Sequence, residues 1–270
     1  MDISKDIKFG PHVFRIRKQK DGFAGIIVGQ HEAPVFGGSA SEVNALLVTR
    51  SGEQTVGFIG LDGARKRFLD LFRDGFSDPK YIGDLKDKGE RAYKLAASAQ
   101  LRDSLPIIKL DHQADAGLVA LKVVQQTNLL DRFSKARLSD VLRGPRAVEF
   151  LQIAGRFTEG DIAASCADLN SNFQEARVNS WVCLTYFPFL WKPDRHMFLK
   201  PDFTRAFAER IGHRFQHDYV PQPNLQTYNS LLQMTETVRL ALSDMQPQDN
   251  IDIHSFMWAA VKYRDSDVGR

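Results

Sequence analysis

The stretch from Trp181 to Val261 constrains this chain more than any other part of it. It opens on a nearly apolar run, WVCLTYFPFLW, interrupted only by Thr185 and Pro188. A helical pattern follows, KPDRHMFLKPDFTRAFAERIG, then a Pro/Asn turn, a long helical pattern and a compact tail, DNIDIHSFMWAAVKY. The apolar run is well short of the roughly 20 residues a membrane-spanning helix needs, so no membrane role is expected. Asp202 reads as an N-cap, with Phe203, Phe207 and Ile211 as a stripe and Gly212 as the C′ glycine. Asn224 reads as the cap of a helix carrying Tyr228, Leu231, Leu232 and Val238. Asp249 or Asp252 caps a last helix with Ile253, Phe256 and Met257 inward. These spacings predict one helical core built from Phe198, Phe203, Phe207, Tyr228, Leu232, Phe256 and Trp258.

The N-terminal part has a different period. Val13–Arg17 alternates apolar with basic residues, and Asp21-Gly22 separates it from the apolar run Phe23–Val28. An Asp-Gly step between two such runs signals a hairpin. Ala45–Thr49 and Gln54–Ile59 flank Ser51-Gly52 and read as a second hairpin, with His31–Ser41 as the loop between the two.

Helical periodicity begins at Ala64, with Phe68, Leu69, Leu71 and Phe72, and stops before Pro79. Further helices are expected over Lys88–Ser104, over Asp115–Leu142 with a break at Asn128–Asp131, over Arg146–Ala154 and from Asp161 to Ala176. The predicted class is α+β: a β-rich N-terminal lobe of two hairpins plus helices over residues 1–106, then an all-helical lobe over 107–270.

Several chemistries lack their parts. There is no P-loop, and the glycines of Gly57–Gly63 miss dinucleotide-binding spacing and read as turn geometry. There is no GxSxG elbow. Cys183 sits in too apolar a run for an activated thiolate, and Cys166 and Cys183 read as buried free thiols. His213 and His217 stand four apart without a third ligand and read as loop or capping residues, and His196 and His254 as isolated. His254 is expected to be a satisfied, partly buried side chain. Asp84-Leu85-Lys86 has nuclease-like spacing but stands in a Gly/Lys-rich loop. No metal and no cofactor is expected. The N-terminus, MDISKDIKFG, carries no secretory h-region, and with the cysteine usage this makes a cytoplasmic location the expectation.

Net charge is only +3, so charge distribution matters more than its sum. Arg15 and Arg17 fall on one side of the first predicted strand. Arg132, Lys135, Arg137, Arg143 and Arg146 lie over a helix and the turn after it, with Phe133 interleaved. A basic helix beside an aromatic can track a phosphate backbone, and the alternative is a solvated helix face.

Two sets of blocks carry a resemblance. One is Asp74–Tyr81 followed by Glu90–Lys94. The other is His196–Pro201, Pro223–Tyr228 and Asp249–Trp258. Together they resemble an uncharacterised bacterial protein family with GF-x-DP-x-Y, ER-x-YK, FLKP, PN-x-x-TY and ID-x-x-SF-x-W signatures. The resemblance implies a bacterial restriction- or defence-type setting. Within these motifs Glu90 can pair with Lys94 one helical turn on. Tyr81, Tyr93, Lys94, Lys200 and Tyr228 are either structural or line one interlobe groove. The leading expectation is a non-catalytic binding protein acting with DNA, RNA or a protein partner. The alternatives are a metal-dependent hydrolase or nuclease whose acids would come from Asp78, Glu90 and Asp111, and a pure scaffold.

Overall fold

The computed structural model describes residues 4–9, 12–30, 32–52, 60–83, 89–110 and 112–263. They fall into two compact units, one within residues 1–59 and 261–270 and one over Gly60–Ala260. The class is α+β, with a small antiparallel sheet first and helices after it.

The first unit holds β1 (Ser4–Phe9), β2 (His12–Gln19), β3 (Gly22–Ile27) and β4 (Val35–Gly37), hydrogen-bonded in the order β1-β2-β3-β4. The Asp21-Gly22 signal marks a hairpin in which Gln19 pairs with Gly22. Gly22 has φ +143°, and a Cβ there would stand 2.6 Å from the Gly37 carbonyl oxygen, so only glycine admits β4 alongside. Alternation buries Phe14 and Ile16 while Arg17 stays exposed.

The expected second hairpin is not formed. Ala45–Thr49 lies inside helix α1 (Ala40–Gly52), and Gln54–Ile59 lies outside the described residues. Helix wins because Val43, Leu47 and Val48 fall on one helical face and pack with Phe14, Ile16, Ile27 and Val35. Gly25 permits the approach, since a Cβ there would come within 2.5 Å of Val43 Cγ1. Ser39 Oγ accepts the Glu42 amide (3.1 Å) and Glu42 Oε2 accepts the Gly38 amide (2.8 Å), a near capping box. The expected loop at 31–41 also contains β4, held by β3 through Gly25↔Val35.

The second unit is helical: α2 (Gly60–Leu71), α3 (Pro79–Ile82), α4 (Ala92–Ser104), α5 (Ala116–Gln126), α6 (Arg132–Arg143), α7 (Ala147–Glu159) and α8 (Ile162–Asn172). Then come α9 (Trp181–Trp191), α10 (Pro201–Ile211), α11 (Phe215–Asp218), α12 (Leu225–Ala241) and α13 (Asn250–Lys262). The apolar run is α9, and every one of its residues is buried, with α4, α6 and α7 against it. Its polar handles all find partners. Trp181 Nε1 donates to the Val220 carbonyl (2.8 Å), Trp191 Nε1 to that of Leu105 (2.9 Å), and Tyr186 meets Thr127 (2.7 Å).

The compact units divide at residue 60 rather than near Pro106. Helices on both sides of Pro106 share one core, with α4 packed on α5 and α9. Asn224 caps α12 by accepting the Thr227 amide (2.9 Å), and Gly212 ends α10 in the left-handed region at φ +69°. Lys200, not Asp202, occupies the N-cap of α10, because Pro201 takes the first helical position. In the expected core, Phe198, Phe203, Phe207, Tyr228 and Phe256 are fully buried. Leu232 and Trp258 are half-buried, and Leu231 and Met234 supply the inward face of α12 instead.

Candidate functional site

Helix α13 carries polar groups inward. Asp249 accepts the Ile251 amide (2.9 Å) and so caps the helix, while Asp252, His254 and Ser255 are buried one turn further on. Asp249, Asp252 and Ser255 each bond a residue from the motif blocks around Tyr81 and Glu90. Arg91, buried at the start of α4, donates to both oxygens of Asp249 (3.0 and 2.9 Å), to Gln248 (3.0 Å) and to Asp252. Tyr81 donates its hydroxyl to the same Asp252 carboxylate. Burial pushes the Asp252 carboxyl upward against the opposing hydrogen bonds, and burial followed by the Asp252 charge holds the Tyr81 phenol well above its ordinary value. This cluster is fully engaged with itself and locks α3 and α4 to α13.

A second cluster lies one turn along. Lys94, 1% exposed, donates to Glu90 (2.9 Å) and to Ser255 Oγ (2.7 Å), so the expected Glu90–Lys94 pair forms. Lys200 reaches the Leu129 carbonyl (3.1 Å), with its ammonium 5.2 Å from the centre of the Trp258 ring. Between these groups is a small cleft of about 40 Å³ lined by Glu90, Tyr93, Lys94, Lys200, His254 and Trp258. Of the five residues named for a groove, Tyr93, Lys94 and Lys200 line this cleft. Tyr81 is taken by Asp252. Tyr228 lies beside His196, to which its hydroxyl bonds (3.1 Å), and it accepts the Met197 amide (3.2 Å).

His254 departs from the expected satisfied histidine. Its ring is enclosed by Phe189, Phe198 and Phe203, with centroids 5.2–5.5 Å away, and neither ring nitrogen has a hydrogen-bond partner. Burial first, and then the charges of Lys94 and Lys200, hold it well below the usual histidine pKa, so the ring is neutral. The sequence shows polar Asp252, His254 and Ser255 among apolar positions of one helix, which marks a polar inward face but not that the His254 ring lacks a partner. His196, by contrast, is satisfied by the Thr158 carbonyl (3.0 Å) and Tyr228, and His213 accepts the Phe215 amide (3.1 Å) at the start of α11.

The basic residues separate into four groups. Arg15, in the first unit, is joined to Asp6 on the neighbouring strand by two 2.8 Å bonds, and Arg17 is exposed. Lys135 turns back to the Gln125 and Thr127 carbonyls (3.2 and 2.9 Å), which closes the C-terminal end of α5. Arg132, Arg137 and Arg143 are exposed on α6, as is Phe133, 71% exposed, with Arg132 and Arg143 close together in angle and Arg137 about a third of a turn round the helix. Arg143 has only a long 3.5 Å pair with Asp140. Arg146 follows the helix, clamps Glu149 (2.8 and 2.7 Å) and stacks over Phe173 at 4.2 Å. An apolar groove of about 390 Å³ runs beside it, lined by Arg137, Val141, Pro145, Arg146 and Phe173.

Two of the three acids named for a hydrolytic site are spoken for. Asp78 accepts the Lys80 amide (2.9 Å) as the cap of α3, and Glu90 holds Lys94. Asp111 and Asp84-Leu85-Lys86 lie outside the described residues. Among the described residues no three His, Cys, Asp or Glu side chains gather as a metal site, and no helix is long and apolar enough to cross a membrane. Both cysteines are buried and free, and burial raises Cys166 to about 12 and Cys183 to about 11. Comparison with protein-family models, with curated proteins and with solved structures gives no match for this chain.

Proposed function

We propose that this chain is a non-catalytic binding protein that holds a single-stranded nucleic acid along the exposed face of α6. The observation that carries this reading is the exposure of Arg132, Arg137 and Arg143 along α6 together with the exposed ring of Phe133. Arginines spaced along a helix neutralise successive phosphates, and an exposed aromatic gives an unpaired base a stacking surface. Lys135 drops out of the binding set, since it closes the end of α5. Arg146 joins the set only by giving up its bonds to the Glu149 carboxylate and the Asn172 carbonyl for a phosphate. Among the described residues no base-reading element accompanies α6, which supports a sequence-tolerant interaction. The resemblance of the Asp74–Tyr81, Glu90–Lys94, His196–Pro201, Pro223–Tyr228 and Asp249–Trp258 blocks adds the setting, a restriction- or defence-type bacterial assembly.

The test is fluorescence anisotropy of a labelled single-stranded oligonucleotide over a salt series, with the wild type and with Arg132, Arg137 and Arg143 replaced together by Ala. The expected result is salt-dependent binding that the triple variant loses while its circular dichroism is unchanged. Equal binding by wild type and variant, or none by the wild type, sinks the proposal. A protein partner then becomes the better reading, on the strength of the apolar groove between Val141, Pro145 and Phe173.

A further inference from the structure

We propose that the cleft under α13 is a binding site for the carboxylate group of a small organic acid, held between Lys94, Lys200 and His254. The site is separate from the α6 face, and neither reading depends on the other.

His254 is the first argument. It is 3% exposed, it lines the cleft, and both of its ring nitrogens lack a partner. Buried polar side chains are nearly always hydrogen-bonded, so this ring calls for a guest with polar atoms. The three phenylalanine rings around it fix its plane and offer no acceptor.

Charge gives the chemical class. Within the lining, two ammonium groups, Lys94 and Lys200, face one carboxylate, Glu90. Lys94 is held on one side by Glu90 and on the other by Ser255. Lys200 is steadied by the Leu129 carbonyl and the face of Trp258. The imidazole N–H and the two ammonium groups are donors, and a carboxylate, which only accepts, complements these three, while the second ring nitrogen of neutral His254 is an acceptor that the carboxylate does not engage. Burial and the lysine charges together keep His254 neutral, which an arriving anion would offset.

Size narrows the class. One water needs about 10–15 Å³ of such space, and the cleft offers about 40 Å³. That is room for about three heavy atoms by the same measure, the size of a carboxylate group and less than a phosphate.

The experiment titrates the whole protein, ring-labelled at histidine with ¹⁵N, with formate, acetate and succinate at constant ionic strength. Chloride and inorganic phosphate serve as controls, and calorimetry gives the affinities. The expected result is saturable binding of a carboxylate, with a shift of the His254 ring resonances. Formate and acetate binding as well as succinate means the carboxylate alone is recognised, and tighter succinate binding means the rest of the acid also contributes. In Lys200→Met the affinity falls about 10- to 100-fold, as expected for loss of a charge-assisted bond of about 1.5–3 kcal/mol. His254→Phe tests the ring directly, and Lys200→Met covers the case in which that variant does not fold. No saturable carboxylate binding, leaving water as the guest, overturns the proposal. So does carboxylate binding that survives in Lys200→Met, or phosphate binding as tight as the carboxylate.

Discussion

The guanidinium of Arg91 and the carboxylate of Asp252, 161 residues apart in sequence, are hydrogen-bonded inside the helical unit. Asp249 completes the clamp and Tyr81 closes it from α3. A buried ion pair of this kind is weak evidence for net stability, yet breaking it from one side is costly. Replacing Arg91 with Ala strands the buried Asp252 carboxylate and the part-buried Asp249 carboxylate, and is expected to destabilise by about 3–5 kcal/mol. Urea denaturation of Arg91→Ala reads this directly. A midpoint equal to that of the wild type would show that the clamp carries no load.

Phe207 and Phe256 are both fully buried, with ring centroids 5.9 Å apart and an edge-to-face tilt of 77°. Truncating either to Ala removes a large side chain from a close-packed interior, at an expected cost of about 3–5 kcal/mol. Leu232→Ala, on the half-buried flank of α12, is expected to cost clearly less. Thermal melts of the three variants rank them. A Phe207→Ala variant as stable as Leu232→Ala would mean the aromatic stripe is not core.

Much of this helical unit was legible because helix ends have chemical punctuation. Asn224 and Gly212 announce a start and a stop, and the structure uses both. The first unit was harder to read. Ala45–Thr49 is a short β-branched and apolar run whose period does not separate strand from helix. The deciding signal was Ser39-Ala40-Ser41-Glu42, a capping-box spacing, together with Gly25 on the sheet beneath. The cleft was half legible. Glu90 and Lys94 declare themselves by spacing, and Tyr93 and Lys200 by motif. His254 does not, since its isolation depends on which rings surround it, and no local pattern encodes that.

The close approach of α1 to the sheet makes Gly25 sensitive. An added methyl there would meet Val43 Cγ1 at 2.5 Å and Leu47 Cδ1 at 2.7 Å. Overpacking of this sort costs about 1–3 kcal/mol. Gly25→Ala is expected to lose that much in chemical denaturation, and Gly25→Ala combined with Leu47→Val to regain part of it. No loss in the single variant would contradict the packing of α1 on β3.

On α6 the arginines and the lysine are expected to behave differently. Each of Arg132→Ala, Arg137→Ala and Arg143→Ala should weaken nucleic-acid binding alike across sequences and lower the salt slope by about one unit. Lys135→Met removes bonds to the Gln125 and Thr127 carbonyls, so it should lower the melting temperature and leave the salt slope unchanged. A Lys135→Met variant that loses a full unit of slope would return Lys135 to the binding face.

His254 also sets a pH dependence whose sign follows from its surroundings. Burial, Lys94 and Lys200 hold its native pKa well below the ordinary value. In the unfolded chain the ring titrates near 6.5. Between the two values the unfolded state binds a proton that the native state refuses, so stability rises with pH across this window. Acidification below about pH 6.5 therefore drains stability, by up to about 1.4 kcal/mol per pH unit for this one group, until its native pKa is reached. His196, also depressed by burial, adds a slope of the same sign. Comparing wild type with His254→Phe isolates the His254 share, because His196 and Asp252 act in both. The variant should show a shallower loss of stability from pH 7 to pH 5. Parallel stability curves for the two proteins would mean that His254 is protonated, or open to water, in the native state.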